Sequence, residues 1–162
     1  MTYVYLGLGA NIQPHASLQA GVAELTKTFG NVQRSPVYIA QAVGMDGPDF
    51  LNMAVGFECP LTHIELMSWI RATETKHGRQ RPSGLQHKPT SHGLDMDLLL
   101  FGDLVDEDNK VPRPDILTCA YVLQPLTDIA AHVIHPTKAK SIQQLYNAYD
   151  FKHTLRLTKI SF

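Results

Sequence analysis

Apolar and polar positions alternate along residues 2–8 (TYVYLGL), a period of two that predicts a half-buried strand. Gly7 and Gly9 at its end predict a tight turn with close backbone approach. Leu18, Val22, Leu25 and Phe29 then recur at helical spacing, which predicts a helix over 15–29 closed by Gly30. Residues 32–42 read as a strand interrupted by Pro36, hence an edge or bulged strand. A loop over 43–49 (VGMDGPD) leads into a strand over 50–58 (FLNMAVGFE). Thr62, with Glu65 three residues on, makes a capping box for a helix that ends near Gly78. Residues 79–93 (RQRPSGLQHKPTSHG) are polar and turn-rich, and 94–101 (LDMDLLLF) again predicts a strand. An acidic turn over 102–110 and an extended loop over 111–115 (VPRPD) precede a helix over 118–129 that contains Pro125. A helix over 142–149 and a strand over 154–160 complete the chain. The order β-α-β-β-α-β predicts an α+β, ferredoxin-like (split βαβ) core, a mostly antiparallel sheet with helices packed on one face.

Composition narrows the class. The chain has 162 residues, 44% of them apolar, which suits one domain over 1–162 with a core that needs no disulfide. Fourteen basic and fifteen acidic residues give a net charge of −1, so nothing draws the whole molecule to nucleic acid or an anionic membrane. Cys59 and Cys119 have no CxxC spacing, which excludes a disulfide scaffold or zinc ribbon and suits a reducing compartment. The N-terminus lacks a basic n-region, and no stretch approaches a membrane span. The expectation is a cytoplasmic monomer.

Asp95 and Asp97 stand two apart on a predicted strand, so both carboxylates share one face. Two like charges so placed are either solvated, paired with arginine, or bridged by a hard divalent cation such as Mg²⁺. Between residues 71 and 92 the bases Arg71, Lys76, Arg79, Arg81 and Lys88 face one acid, Glu74. A basic loop beside a carboxylate pair suits phosphoryl transfer, though bases at a helix C-terminus also complement its dipole. Asn52 sets an amide within an apolar strand, to be met by a backbone group or by a ligand. Phe50 shares its face, and Tyr121 offers a second aromatic wall. No Walker A, GxSxG or HExxH sequence is present, and GLGAN is too short for a dinucleotide fingerprint.

The blocks YVYLGLGAN, PDFLNMAV, ETKHGRQR, LDMDLLLFG, VPRPD and YVLQPLTDIA, in this order, resemble the 6-hydroxymethyl-7,8-dihydropterin pyrophosphokinase family over most of the chain. That resemblance implies transfer of pyrophosphate from Mg-ATP, the co-substrate, to the pterin hydroxymethyl group in folate biosynthesis, with release of AMP. It implies that Asp95 and Asp97 bind two Mg²⁺, that Arg79 and Arg81 serve the chemical step, and that Ala40, Val43, Phe50, Asn52 and Tyr121 line the pterin site. It places Arg71, Glu74, His92, Leu98, Lys110 and Arg113 beside ATP. The chain departs from the family where Gly-Pro-Arg gives way to Thr90, Ser91 and His92, where His-Tyr gives way to Arg113 and Pro114, and where an arginine gives way to Cys119. Two functions stay open at this level. One is a pyrophosphokinase whose phosphate clamp is rebuilt from Arg113, Lys88 or His92. The other is a paralogue that binds pterin or nucleotide without this transfer, or acts on another pterin.

Overall fold

The computed structural model describes residues 1–40, 49–77, 93–150, 156–158 and 160. Strand β1 (Thr2–Ala10) lies inside the sheet, pairing antiparallel with β4 (Phe50–Cys59) on one side and β5 (Asp95–Phe101) on the other. The expected strand over 32–42 is two short pieces, β2 (Gln33–Arg34) and β3 (Tyr38–Ala40), both on β4. Pro36 lies between them, where it has no ladder hydrogen bond to donate. The Ser35 hydroxyl accepts the Ala54 N–H at 2.8 Å across that break. Strand β6 (Arg156–Leu157) pairs with β3, so the path across the sheet is β5-β1-β4-β3-β6.

Helix α1 (Pro14–Phe29) ends at Gly30, whose φ of 88° only glycine adopts without strain. Helix α2 (His63–Lys76) starts at the expected Thr62–Glu65 capping box. Both cover one sheet face. Leu18, Val22 and Leu25 of α1 and Leu66 and Ile70 of α2 pack with Val4, Leu6 and Leu8 of β1 and Met53, Val55 and Phe57 of β4. These strand residues alternate in sequence, so the other positions point to the opposite face.

That opposite face is also covered, which a helices-on-one-face arrangement does not anticipate. Helices α3 (Asp115–Thr118), α4 (Ala120–Ala130) and α5 (Ile142–Ala148) lie there, and Val122, Leu123 and Leu126 pack on Tyr5, Ala54, Leu99 and Leu100. The single helix expected over 118–129 is broken at Cys119, which is extended at φ −124° and ψ 116°. Asp115, read as loop, opens the short helix before the break. Pro125 is accommodated within α4, and Ser141 with Gln144 makes a second capping box on α5.

A bulge in β5 adjusts the faces. Leu6 pairs with Leu98 but Tyr5 pairs with Leu100, leaving Leu99 as the extra residue. Leu99 and Leu100 therefore both enter the α4 side of the core. No described helix is long and apolar enough to cross a membrane.

Candidate active site

The register places chemistry on the α4 side of four adjacent strands. One rung runs Tyr38, Asn52, Gly9, Asp95, and the next runs Ala54, Gly7, Asp97. Gly7 and Gly9 lie inside β1, not in the turn their composition suggests. Their missing side chains leave bare backbone between the amide on β4 and the acids on β5. A Cβ at Gly9 would stand 3.0 Å from Asn52 Oδ1, closer than such atoms normally come. The strand order makes this floor, and the glycine spacing of two was the signal for it.

Above the floor is a cavity of about 230 Å³ lined by Ala40, Phe50, Asn52, Tyr121, Asp95 and Asp97 among others. Four residues expected around a pterin, Ala40, Phe50, Asn52 and Tyr121, thus come together. Val43, the fifth, lies outside the described residues. Leu8, Met53 and Val122 also line the cavity and were missed, because alone they read as core. Asn52 is 8% exposed, and its Nδ2 is buried without a hydrogen-bond partner among the described residues. Such a group costs on the order of 1–3 kcal/mol unless a ligand acceptor completes it. Burial raises the Tyr121 hydroxyl pKa, and Cys119, Asp115 and Asp97 raise it further, so it stays a neutral phenol.

A second cavity of about 370 Å³ opens on the other side of the acids. Arg71 and Glu74 from α2, Leu98 from β5, and Lys110 and Arg113 from the following loop line it, together with Asp95 and Asp97. The acid pair is shared by both cavities. Five residues expected beside ATP meet there, while His92, Arg79 and Arg81 lie outside the described residues.

Glu74 does more than line the wall. It is 4% exposed, and its Oε2 accepts the Met96 N–H at 2.9 Å. Strand β5 is the sheet edge, so this N–H belongs to a strand with an unpaired side. Glu74 thereby fixes the residue between the two acids. Arg113 donates its backbone N–H to Leu99 O at 3.0 Å, its Nε to Asp115 Oδ2 at 3.2 Å, and stands with Nη2 3.5 Å from Asp97 Oδ1. The loop that carries Lys110 and Arg113 is organised by Asp106. That carboxylate takes the Asn109 amide at 2.7 Å and His63 Nε2 at 2.9 Å, while the Asp106 backbone bridges Val111. The Asn109 hydrogen bond, and then the His63 one, hold the Asp106 pKa below its ordinary value.

Among the described residues no three His, Cys, Asp or Glu side chains cluster as a metal cage. Two carboxylates on one strand face, open to two cavities, fit a hard cation that draws its other ligands from water and phosphate oxygens. A closed zinc-type site would need more protein ligands.

Residues 5–131 match the family model described as 7,8-dihydro-6-hydroxymethylpterin-pyrophosphokinase. The chain is 35% identical to the 2-amino-4-hydroxy-6-hydroxymethyldihydropteridine pyrophosphokinase of Synechocystis sp., over 90% of this chain and 75% of that protein. It is 32% identical to the protein of the same name from Pseudomonas aeruginosa, over 95% and 96%. Among solved structures, wild-type Plasmodium falciparum HPPK-DHPS with SDX-DHP superposes with a TM-score of 0.68 at 14% identity. An HPPK-DHPS in complex with substrates superposes with a TM-score of 0.70 at 10% identity. These likenesses are of fold. They cover 91% and 92% of this chain, which spans 43% and 45% of those longer chains.

Proposed function

The chain belongs to the 7,8-dihydro-6-hydroxymethylpterin-pyrophosphokinase family, and from that premise we propose that it moves pyrophosphate from Mg-ATP to the hydroxymethyl group of 6-hydroxymethyl-7,8-dihydropterin, releasing AMP, as a step of folate biosynthesis. One observation carries this reading: two cavities of different character share the Asp95 and Asp97 carboxylates. A transfer between two bound molecules needs that arrangement, with the charged phosphates passing over the acids.

In this reading Asn52 completes its amide on the pterin edge, with Phe50 and Tyr121 as aromatic walls, and Ala40 and Val43 are the further residues that the family resemblance assigns to the pterin site. Arg71, Glu74, Leu98, Lys110, Arg113 and His92 hold the nucleotide side. Asp95 and Asp97 would hold two Mg²⁺, which neutralise phosphate charge when bound. The hydroxymethyl oxygen attacks the β-phosphorus and loses its proton to solvent. The bond from that phosphorus to the α-phosphate oxygen breaks, and AMP leaves. Arg79 and Arg81 offset charge on the transferred group. The chain's share of catalysis is thus positioning and charge neutralisation. We also take 1–162 as one domain and the monomer as the working unit. A cytoplasmic location accords with the free thiols of Cys59 and Cys119.

The test is to incubate the protein with Mg-ATP and the pterin and to quantify AMP, ADP and pterin pyrophosphate by chromatography. Equal amounts of AMP and pyrophosphorylated pterin are expected. ADP with a monophosphorylated pterin, or no pterin-dependent turnover, would overturn the proposal.

A further inference from the structure

Arg113 lines the second cavity together with the acid pair. Its guanidinium is 3.5 Å from Asp97 Oδ1, and the side chain is 27% exposed. Its near end is tied down twice, by Asp115 through Nε and by the Leu99 carbonyl through the backbone. The Nη2 end therefore reaches Asp97 from a fixed base. A guanidinium stays charged at any working pH, so this contact does not switch off by titration. A divalent cation approaching Asp97 meets a positive charge already there. A phosphate group offers the same fork an alternative acceptor, with matching bidentate geometry.

We propose that Arg113 is a built-in counter-ion of Asp97: it competes with free divalent metal for that carboxylate, and yields the carboxylate when nucleotide phosphates give the guanidinium another anion. The site then disfavours metal alone and favours the metal–nucleotide pair. This inference rests on the reading of Asp95 and Asp97 as the metal acids.

Arg113→Met removes the charge and keeps a flexible stem, whereas Arg113→Lys keeps a charge. Free Mn²⁺ is titrated into each protein without nucleotide, and the unbound ion is counted by electron paramagnetic resonance. The binding of Mg²⁺ with α,β-methylene-ATP is measured separately by calorimetry. An exposed ion pair of this kind predicts Mn²⁺ binding about two- to fivefold tighter in Arg113→Met than in wild type, with Arg113→Lys close to wild type. The lost charge-assisted bond predicts nucleotide binding about tenfold weaker or more in Arg113→Met. Opposite signs in the two titrations are the signature. Mn²⁺ binding that is unchanged or weaker in Arg113→Met overturns the inference. Asp97→Asn separates the two ideas. If it binds Mn²⁺ as wild type does, the metal reading itself falls. If it loses Mn²⁺ while Arg113→Met behaves like wild type, only the counter-ion role falls.

Discussion

Replacing Asn52 with leucine should stabilise the protein while disabling one cavity. The Asn52 Nδ2 is buried with no partner among the described residues, and its strand position lies between Tyr38 and Gly9. An unsatisfied amide of this kind costs on the order of 1–3 kcal/mol, and an apolar side chain of similar size removes that cost. Because Asn52 also borders a cavity, the lower end applies, a gain of about 1 kcal/mol. In a domain of this size that raises the melting temperature by about 2–4 °C. The same substitution removes the donor that a pterin would complete. Losing one good hydrogen bond to a buried partner weakens binding by about 10- to 100-fold. Thermal unfolding of the unliganded protein and calorimetric titration with the pterin read the two effects separately. A lower melting temperature would show that the amide is satisfied in the folded chain. An unchanged dissociation constant would show that the cavity holds something other than a pterin at that edge. Either result refutes the argument.

Substitutions at three further positions probe other parts of the design. Glu74→Ala should lower stability by about 1–3 kcal/mol by orphaning the Met96 N–H, whereas Glu74→Gln, which keeps an acceptor, should lose less; urea midpoints that do not separate the two variants would contradict the assigned hydrogen bond. Gly56→Ala should cost about 1–3 kcal/mol through overpacking, since its Cβ would come within 2.9 Å of the Tyr3 and Tyr5 rings; a urea midpoint equal to that of wild type would show that these rings yield freely. Burial, and then the hydrogen bond to Asp128, raise the Tyr38 pKa far above its ordinary 10.0. Stability from this phenol is therefore complete below pH 10 and is lost as the pH rises toward the folded-state value, because the unfolded chain gives up the proton first. Tyr38→Phe should flatten the decline in unfolding free energy above pH 10, and an identical slope in the two proteins would contradict this.

Local pattern made the elements legible and left their assembly hidden. Alternation and capping gave β1, β4, β5 and both ends of the first two helices to within a residue or two. Period two also placed Asp95 and Asp97 on a common face without any knowledge of partners. Cys119 reads as helix because nothing in the adjacent residues opposes it, yet it is extended between α3 and α4, where it packs at the edge of the α4-side core. Gly7 and Gly9 looked like a turn because their composition is that of turns, while the register with β4 and β5 makes them a floor. Glu74 meeting Met96 and Arg113 meeting Asp97 join residues 22 and 16 positions apart. Such pairings follow from strand order and have no local periodicity. The residues expected to serve the chemical step, Arg79 and Arg81, lie outside the described chain, so their part in the site stays with the family resemblance.

The glycine floor sets how this site can change over generations. A small inhibitor lying across Gly7 and Gly9 would touch main-chain atoms that every residue shares. Mutation can alter that surface only by adding bulk, and at Gly9 the first added carbon already crowds the Asn52 carbonyl oxygen. Escape by substitution at Gly9 would disturb the Asn52 amide on which the proposed pterin contact rests, whereas a Cβ at Gly7 would meet Leu99 at an ordinary 3.6 Å. Viable resistance is therefore channelled to Gly7 and to the walls, to Phe50, Tyr121 and Val122, where side chains can be exchanged. Compounds that draw their affinity from the floor and lean little on those walls would leave the narrowest route to resistance.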